Sequence, residues 1–311
     1  MKIVSIGEVL WDVVGGEEHL GGAPLNFSVH ASRLGHEVRL VSAVGCDPRG
    51  RRILDRMERL GLDTRYVLQV NDQPTGIVSV ELDAARQPRF TIHRPAAYDF
   101  AELSVSQLQE IRAWQPDWIY FGTLFQSSRQ GRELVRQIIA AHPASRCFYD
   151  VNLRKGCYTA ALVRGLIAAA DIVKLNEDEA AESGSMLGIA SGPLENFCGA
   201  LARDFGLDAV CVTRGPHGCV LLLAGEYEET EGRAVTVCDA IGAGDAFAAA
   251  LLHGIGSGWP PPRVAAFANR VGALVASRPG AIPEWRFEEA EESYCGARAG
   301  EITDAGGQQK S

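Results

Sequence analysis

Segments that read as β-strands alternate with helical segments along most of the chain. Residues 2–6 form a short apolar run, and after Pro24 the apolar positions recur at helical spacing up to Gly35, a natural helix stop. The segment "EVRLVSAVG" then alternates like a strand, and "DPRGRRILDRMERLG" is typical of a polar helix. This order indicates an α/β fold in which crossover helices cover a sheet. The 311 residues, 46% of them hydrophobic, suffice for one large domain or two modest ones.

The alternation is interrupted between about residues 65 and 100. There, "TGIVSVELDAARQPRFTIHR" contains two alternating strands around a polar turn, which predicts a hairpin. A hairpin inserted into an α/β domain has to lie against something else, and we interpret it as a small lid. The strand and helix order then resumes, and "GCVLLLAG" and "EYEETEG" predict two short strands at a sheet edge. Residues 296–311 are mostly Gly, Ala and polar, which predicts a disordered tail.

The composition argues against several classes of partner. A net charge of −9 disfavours nucleic acid, because phosphate binding depends largely on Lys and Arg. No apolar segment approaches the roughly 20 residues that span a bilayer, so we expect no membrane partner. None of the four lysines follows a glycine, so the common phosphate-binding loop is absent. Eight cysteines without a CxxC pair indicate reduced thiols and a cytoplasmic protein, and we interpret Cys238 as a small buried side chain.

In an open α/β sheet, ligands bind beyond the carboxyl ends of the strands, and one glycine-rich motif there is prominent. Gly242, Ala243, Gly244 and Asp245 precede a long apolar helical segment. The unpaired N–H groups of a helix start suit a phosphate or a developing anion. Asp245 would then accept a proton from an attacking hydroxyl. The alternative is a turn whose Asp only stabilises the helix N-terminus, and the motif alone leaves both readings open.

A second motif, "KLNEDEA", has the same two interpretations. Asn176 and Glu179 are spaced like a capping box, which is a structural device and the favoured reading of these residues alone. The three successive carboxylates Glu177, Asp178 and Glu179 are also suited to hold hydrated Mg²⁺ beside nucleotide phosphates.

Other polar residues follow the predicted strands. Asp12 is either a solvated loop acid or, with Asn26, a group that binds sugar hydroxyls. Arg154 is either a surface cation or a residue whose guanidinium group binds phosphate through two hydrogen bonds. Thr213 and Gly215 are either the end of a strand followed by a turn or part of a nucleotide-binding surface.

Taken together, these segments resemble the ribokinase-like carbohydrate kinases, often called the PfkB family. The resemblance covers roughly residues 2–285. "GGAPLNFSVHASRLG" resembles the first signature of the family, and "DAIGAGDAFAAALL" resembles the second. "KLNEDE" is similar to its Mg-linked motif, "TRGPHG" to its nucleotide loop, and "FANRVGALVASRPGAI" to its adenine- and cation-binding end. The resemblance implies a three-layer α/β fold with a mostly parallel central sheet. It places one kinase domain over residues 1–295, with a β lid inserted from about 12–22 and 66–100.

The resemblance also implies roles for individual residues. Asp245 would be the catalytic base, and Gly242, Ala243 and Gly244 would form the anion hole for the γ-phosphoryl group. Glu179 would bind Mg²⁺ through water. The remaining implied ATP-binding positions are Lys174, Asn176, Thr213, Gly215, Gly218 and Asn269.

The same resemblance assigns the sugar to Asp12, Gly22, Asn26 and Arg154. A K⁺ ion bound by main-chain carbonyls is expected near Asp239, Ile241 and Gly280. Two residues depart from the family pattern and weaken these expectations. Ala240 stands where Thr or Ser is usual, which removes a hydroxyl near the nucleotide, and Glu284 replaces a small polar residue.

The resemblance implies ATP-dependent phosphoryl transfer to a sugar hydroxyl. "FGTLFQSS", "YDVNLR" and "AAYDF" are most similar to bacterial fructokinases, so D-fructose, giving fructose 6-phosphate, is the first expected substrate. The alternatives are 2-keto-3-deoxygluconate and ribose, and a homodimer through the lid is expected. A non-catalytic sugar or nucleotide sensor would lack the base, and a dehydrogenase would carry GxGxxG where "SIGEVLWD" stands.

Overall fold

The computed structural model describes residues 1–82 and 88–291. Within them the chain forms thirteen strands. These are β1 (Lys2–Ile6), β2 (Leu10–Val14), β3 (Glu17–Gly21), β4 (Glu37–Gly45), β5 (Val67–Val70), β6 (Gly76–Leu82), β7 (Pro88–His93), β8 (Trp118–Gly122), β9 (Arg146–Asp150), β10 (Ile172–Asn176), β11 (Ala209–Thr213), β12 (Cys219–Leu223) and β13 (Glu226–Thr230).

The same residues form nine α-helices. They are α1 (Ala23–Arg33), α2 (Pro48–Arg59), α3 (Val105–Trp114), α4 (Arg129–Ala141), α5 (Ala160–Ile167), α6 (Glu177–Leu187), α7 (Leu194–Phe205), α8 (Ala243–Gly256) and α9 (Pro261–Ala276). None of these helices is both long and apolar enough to cross a bilayer.

A nine-stranded sheet forms the centre of the chain, in the order β13-β12-β11-β10-β9-β8-β1-β4-β5. Seven of its strands run parallel to one another, namely β1, β4, β5, β8, β9, β10 and β11. At one edge, β12 pairs antiparallel with both β11 and β13. The mostly parallel sheet and the edge meander confirm the sequence predictions. Buried strands such as β8, with the sequence WIYFG, are apolar throughout because helices cover both faces.

Alternate residues of the strands pack into two separate cores, one on each face of the sheet. Ile3 and Tyr120 face a core formed with α1, α8 and α9. Val4 and Phe121 face the opposite core, which includes residues of α3, α4, α5 and α7. The period of two places successive side chains on opposite faces. The resulting helix–sheet–helix arrangement confirms the predicted three layers.

A second sheet of four strands has the order β3-β2-β6-β7. This sheet contains the predicted hairpin of β6 and β7, whose turn lies outside the described residues. Its first strand begins at Leu10, close to the predicted start of the lid at residue 12. The prediction that this sheet begins again at residue 66 is wrong. Residues 67–70 form β5, which pairs in parallel with β4 in the large sheet, because this register buries Val67 in a core. The predicted tail from Gly296 lies outside the described residues.

The packing of α1 on the sheet predicts a large loss of stability for Phe27→Ala. The Phe27 ring is fully buried and stacks on Tyr120 at a centroid distance of 3.7 Å. Removing it should lower the free energy of unfolding by about 3–5 kcal/mol, measured by urea denaturation. Val105→Ala is the control, because Val105 is 73% exposed and its loss should change stability by no more than about 0.5 kcal/mol. Equal, small effects of both changes would contradict this packing.

Candidate active site

Two helix N-termini meet at the carboxyl edge of the large sheet. Asn26 lies in the first turn of α1 and Asp245 in the first turn of α8, and Asn26 Nδ2 donates to Asp245 Oδ2 at 2.8 Å. Both side chains are buried. The contact joins residues 219 positions apart, so the fold brings together two of the residues that the resemblance assigned to the site.

The Asp245 carboxyl has an unusual proton affinity. Burial raises its pKa to about 7, and Asp150 raises it further, while Asn26, Lys174 and Arg154 act in the opposite direction. A carboxyl with a pKa near neutrality is suited to accept a proton from a hydroxyl and release it again.

The backbone at the start of α8 leaves room for an anion. Gly242 has a φ of 77°, and a Cβ there would lie 2.3 Å from the carbonyl oxygen of Ala281, so the position requires glycine. No side chain caps the first turn, which contains Ala243, Gly244 and Asp245. The Ala243 N–H donates to the carbonyl oxygen of Ala240 at 3.3 Å, so the N–H groups of Gly244 and Asp245 and the positive end of the helix dipole are the parts of this turn that fit a phosphate group.

Lys174 approaches the same turn from β10. Its ammonium nitrogen is 2.9 Å from Asp150 Oδ1 and lies 3.6 Å from where a Cβ on Gly244 would stand. Lys174 is 5% exposed. Burial opposes its charged form, but Asp150 and Glu179 together hold the pKa of the ammonium group above its usual value.

Asp150 is a site residue that the sequence reasoning missed. It is fully buried, binds Lys174 through both carboxylate oxygens and accepts a hydrogen bond from the Tyr120 hydroxyl at 3.0 Å. The available signal was a single carboxylate at the end of the apolar strand "RCFYD", where a buried charge requires a partner.

Two of the predicted sugar-binding residues, Asp12 and Arg154, interact electrostatically. Asp12 lies on β2, and burial raises its pKa to about 6 against the opposing effect of Arg154. Arg154 is exposed and also lowers the pKa of Asp245, so its guanidinium group is within electrostatic reach of both carboxyls. Gly22, with a φ of 110°, caps α1 where a Cβ would lie 2.4 Å from the carbonyl oxygen of Glu8.

Glu8 is a second residue that the sequence reasoning missed. It is 7% exposed, and its Oε2 atom has no hydrogen-bond partner among the described residues. Burial raises the pKa of its carboxyl to about 7, although Arg154 and Arg94 act to lower it. The signal was a charged residue two positions after the apolar run of residues 2–6.

The predicted nucleotide positions lie along one edge of the sheet. Asn176 and Thr213 are paired in the register of β10 and β11. At Gly218 the φ is 88° and a Cβ would lie 2.1 Å from the carbonyl oxygen of Thr230. Asn269 Nδ2 donates to that same oxygen at 3.5 Å. Gly215 begins the short 3-10 turn between β11 and β12, so five of the six predicted nucleotide positions lie near this edge.

Glu179 forms the capping box that its spacing predicts. Asn176 N donates to Glu179 Oε2 at 2.9 Å, and Glu179 N donates to Asn176 Oδ1 at 2.8 Å. Glu179 Oε1 accepts a third bond from Leu153 N at 2.9 Å. Each carboxylate oxygen retains a lone pair for water, so the Mg²⁺ role through water stays a prediction.

The predicted K⁺ positions are also brought together. Asp239 Oδ1 accepts a hydrogen bond from Ile241 N at 2.9 Å, and Oδ2 accepts one from Gly280 N at 3.1 Å. No group of three His, Cys, Asp or Glu side chains suited to a metal occurs in residues 1–82 and 88–291, and main-chain K⁺ binding stays a prediction. Cys238 is exposed rather than buried, because the segment before α8 lies on the surface.

Comparison with known proteins decides the family. The model of the pfkB family carbohydrate kinases matches residues 3–286. The chain belongs to this family. The pfkB kinase is similar to an uncharacterized sugar kinase from Pyrococcus horikoshii, at 32% identity over 92% of this chain and 94% of that protein. The structure of that protein in complex with ATP has a TM-score of 0.80 and covers 93% of this chain and 99% of its own. A fructokinase of Escherichia coli is 29% identical over 84% of this chain and 87% of its own.

These matches give the chain a reaction class. A carbohydrate kinase is a phosphotransferase that acts on a sugar hydroxyl. The ribokinase-like fold is confirmed by a fructokinase structure from Xylella fastidiosa with bound ATP, at a TM-score of 0.83 and 21% identity over 96% of this chain and 99% of that chain.

The proton affinity of Asp245 predicts the pH dependence of the kinase. The carboxyl has to be deprotonated to act as a base, and its raised pKa of about 7 means that the active form is lost as the pH falls through this value. Below neutrality, kcat/KM should fall about tenfold for each pH unit. Initial rates between about pH 5.5 and 9, with thermal unfolding measured at each pH, check this. A constant kcat/KM in folded protein across that range would contradict the assignment.

Proposed function

We propose that this pfkB kinase transfers the γ-phosphoryl group of ATP to a hydroxyl of a small sugar, with D-fructose, giving fructose 6-phosphate, as the first candidate. The observation that carries the proposal is the buried Asp245 carboxyl in the uncapped first turn of α8, held by Asn26. A structural Asp at a helix start needs neither burial nor a partner from another helix. The fructokinase of Escherichia coli supports fructose as the first candidate.

Asp245 would act as the general base. Because Oδ2 accepts the hydrogen bond from Asn26, we assign proton acceptance to Oδ1. The sugar oxygen forms a bond to the γ-phosphorus while the bond from that phosphorus to the β,γ-bridging oxygen breaks. The hydroxyl proton passes to Asp245, and ADP leaves with the electrons of the broken bond.

The charge of the transferring group would be stabilised by the start of α8. The N–H groups of Gly244 and Asp245 belong to the first turn of α8, and Lys174 Nζ lies 3.6 Å from where a Cβ on Gly244 would stand. Donors fixed by the fold before the reaction are more effective than water, because they need no reorganisation. The Lys174–Asp150 ion pair holds the cation in place.

Two ions are included in this proposal. Mg²⁺ when bound would neutralise phosphate charge, and Glu179 would hold it through water beside Asn176. K⁺ would bind to main-chain oxygens of the loop that Asp239 ties to Gly280. The four-stranded sheet would close over the sugar as a lid and provide a homodimer contact, for which the exposed Val14 on β2 is available.

A second candidate substrate is 2-keto-3-deoxygluconate, a sugar acid. The observation in its favour is the Arg154 guanidinium group, which lies within electrostatic reach of Asp12 and Asp245 and is suited to bind a carboxylate.

The experiment is ADP release over a panel of sugars and nucleosides with ATP and Mg²⁺, using wild type and Asp245→Asn. Wild type should release ADP with D-fructose, and the variant should lose about 10²–10⁴-fold in turnover while ATP affinity changes little. The amide is isosteric but cannot accept the proton. Substantial turnover in the variant would contradict the base assignment. ATP binding without release for any sugar would favour a sensor.

A further inference from the structure

A buried carboxyl group that the proposed mechanism does not use lies at the junction of the two sheets. Glu8 stands between β1 and β2, and its backbone carbonyl contacts the Gly22 cap of α1. The side chain is 7% exposed, and Oε2 has no hydrogen-bond partner among the described residues. A buried carboxylate oxygen without a donor is costly, and a hydroxyl of a bound ligand would supply that donor.

The charged groups around Glu8 place it at the sugar side of the site. Arg154, Asp245 and Arg94 are the charged side chains that act on its carboxyl. Arg94 is paired with Asp99 and also donates to Ser127, so its charge is already compensated. Arg154 donates to the carbonyl oxygen of Leu153 at 3.3 Å and has no ion pair among the described residues.

Among these side chains, acidic groups outnumber basic ones. Glu8, Asp12 and Asp245 contribute three carboxyls without an ion pair in the described part of the chain, whereas Arg154 contributes one guanidinium group. Lys174 does not change this balance, because Asp150 binds it at 2.9 Å. A carboxylate accepts hydrogen bonds from hydroxyls but repels another carboxylate, most strongly where water is excluded.

We propose that Glu8 binds a sugar hydroxyl through Oε2 and that, with Asp12 and Asp245, it selects neutral hydroxyl-rich sugars over sugar acids. This inference rests on the proposed sugar kinase activity and narrows its substrate class. Glu8 is a specificity-determining residue here, and it takes no part in proton transfer. A hydroxyl donated to the ionised carboxyl would stabilise its charged form and lower the pKa that burial has raised.

Three substitutions of Glu8 separate the charge of the carboxylate from its hydrogen bond. Glu8→Gln keeps an acceptor but removes the charge, Glu8→Ala removes both, and Glu8→Asp keeps the charge on a shorter side chain. The matched control is Glu58→Gln, at an exposed position of α2. Steady-state kcat and KM are measured for D-fructose and for 2-keto-3-deoxygluconate, with melting temperature as the test of folding.

Wild type should prefer the neutral sugar. Glu8→Ala should raise KM for D-fructose about tenfold or more, with a smaller change in kcat, because it removes a hydrogen bond to a charged group. Glu8→Gln should reduce the preference for fructose over the sugar acid about tenfold, because it removes the repulsion. Glu8→Asp should keep that preference, and Glu58→Gln should match wild type.

Two results would overturn the inference while leaving the kinase activity intact. One is that the wild type uses 2-keto-3-deoxygluconate better than D-fructose. This result does not depend on whether any variant folds. The other is a folded Glu8→Gln or Glu8→Ala whose KM values equal those of wild type. By contrast, a wild type that phosphorylates no sugar would contradict the proposed function itself.

Discussion

The hydrogen bond from Asn26 to Asp245 is the contact on which the arrangement of the site depends. It joins the first turns of α1 and α8, and a closed series of contacts surrounds it. Phe27, next to Asn26, stacks on Tyr120, whose hydroxyl donates to Asp150. Asp150 binds Lys174, and Lys174 reaches the turn that contains Asp245. The core and the site therefore share side chains, so a change in the packing of α1 also displaces the base.

This arrangement keeps charged groups in an apolar environment. Lys174 and Asp150 compensate each other, and a buried pair of this kind adds little stability because desolvation opposes the attraction. Asp245 and Glu8 have no such cation partner in the described structure, and burial raises the pKa of each to about 7. Local rules of stability are commonly broken at functional sites, where a shifted pKa and an open hydrogen-bonding position serve the reaction.

Most elements of the large sheet could be predicted from the sequence, because apolar periodicity and glycine stops are local signals. The capping box of Asn176 and Glu179 was found for the same reason. The strand β5 and the helix α3 were not identified, and β2 and β3 were located only through the lid segment that the resemblance implied. Polar residues on the solvent-facing sides of these segments weaken the apolar pattern. Asp150 was missed because its importance comes from a contact with Lys174, 24 residues away. Local patterns suggested a base role for Asp245 and a sugar-binding role for Asn26 separately, but they cannot reveal that the two residues, 219 positions apart, form a hydrogen-bonded pair.

The central claim is that the start of α8 is the place where the phosphoryl group passes to the sugar. A crystal structure with a non-hydrolysable ATP analogue, Mg²⁺ and D-fructose tests it most directly. The account predicts one sugar hydroxyl within hydrogen-bond distance of the Asp245 carboxylate and the terminal phosphate on the N–H groups of Gly244 and Asp245. A sugar or a terminal phosphate bound away from this turn, with Asp245 still paired only to Asn26, would contradict it.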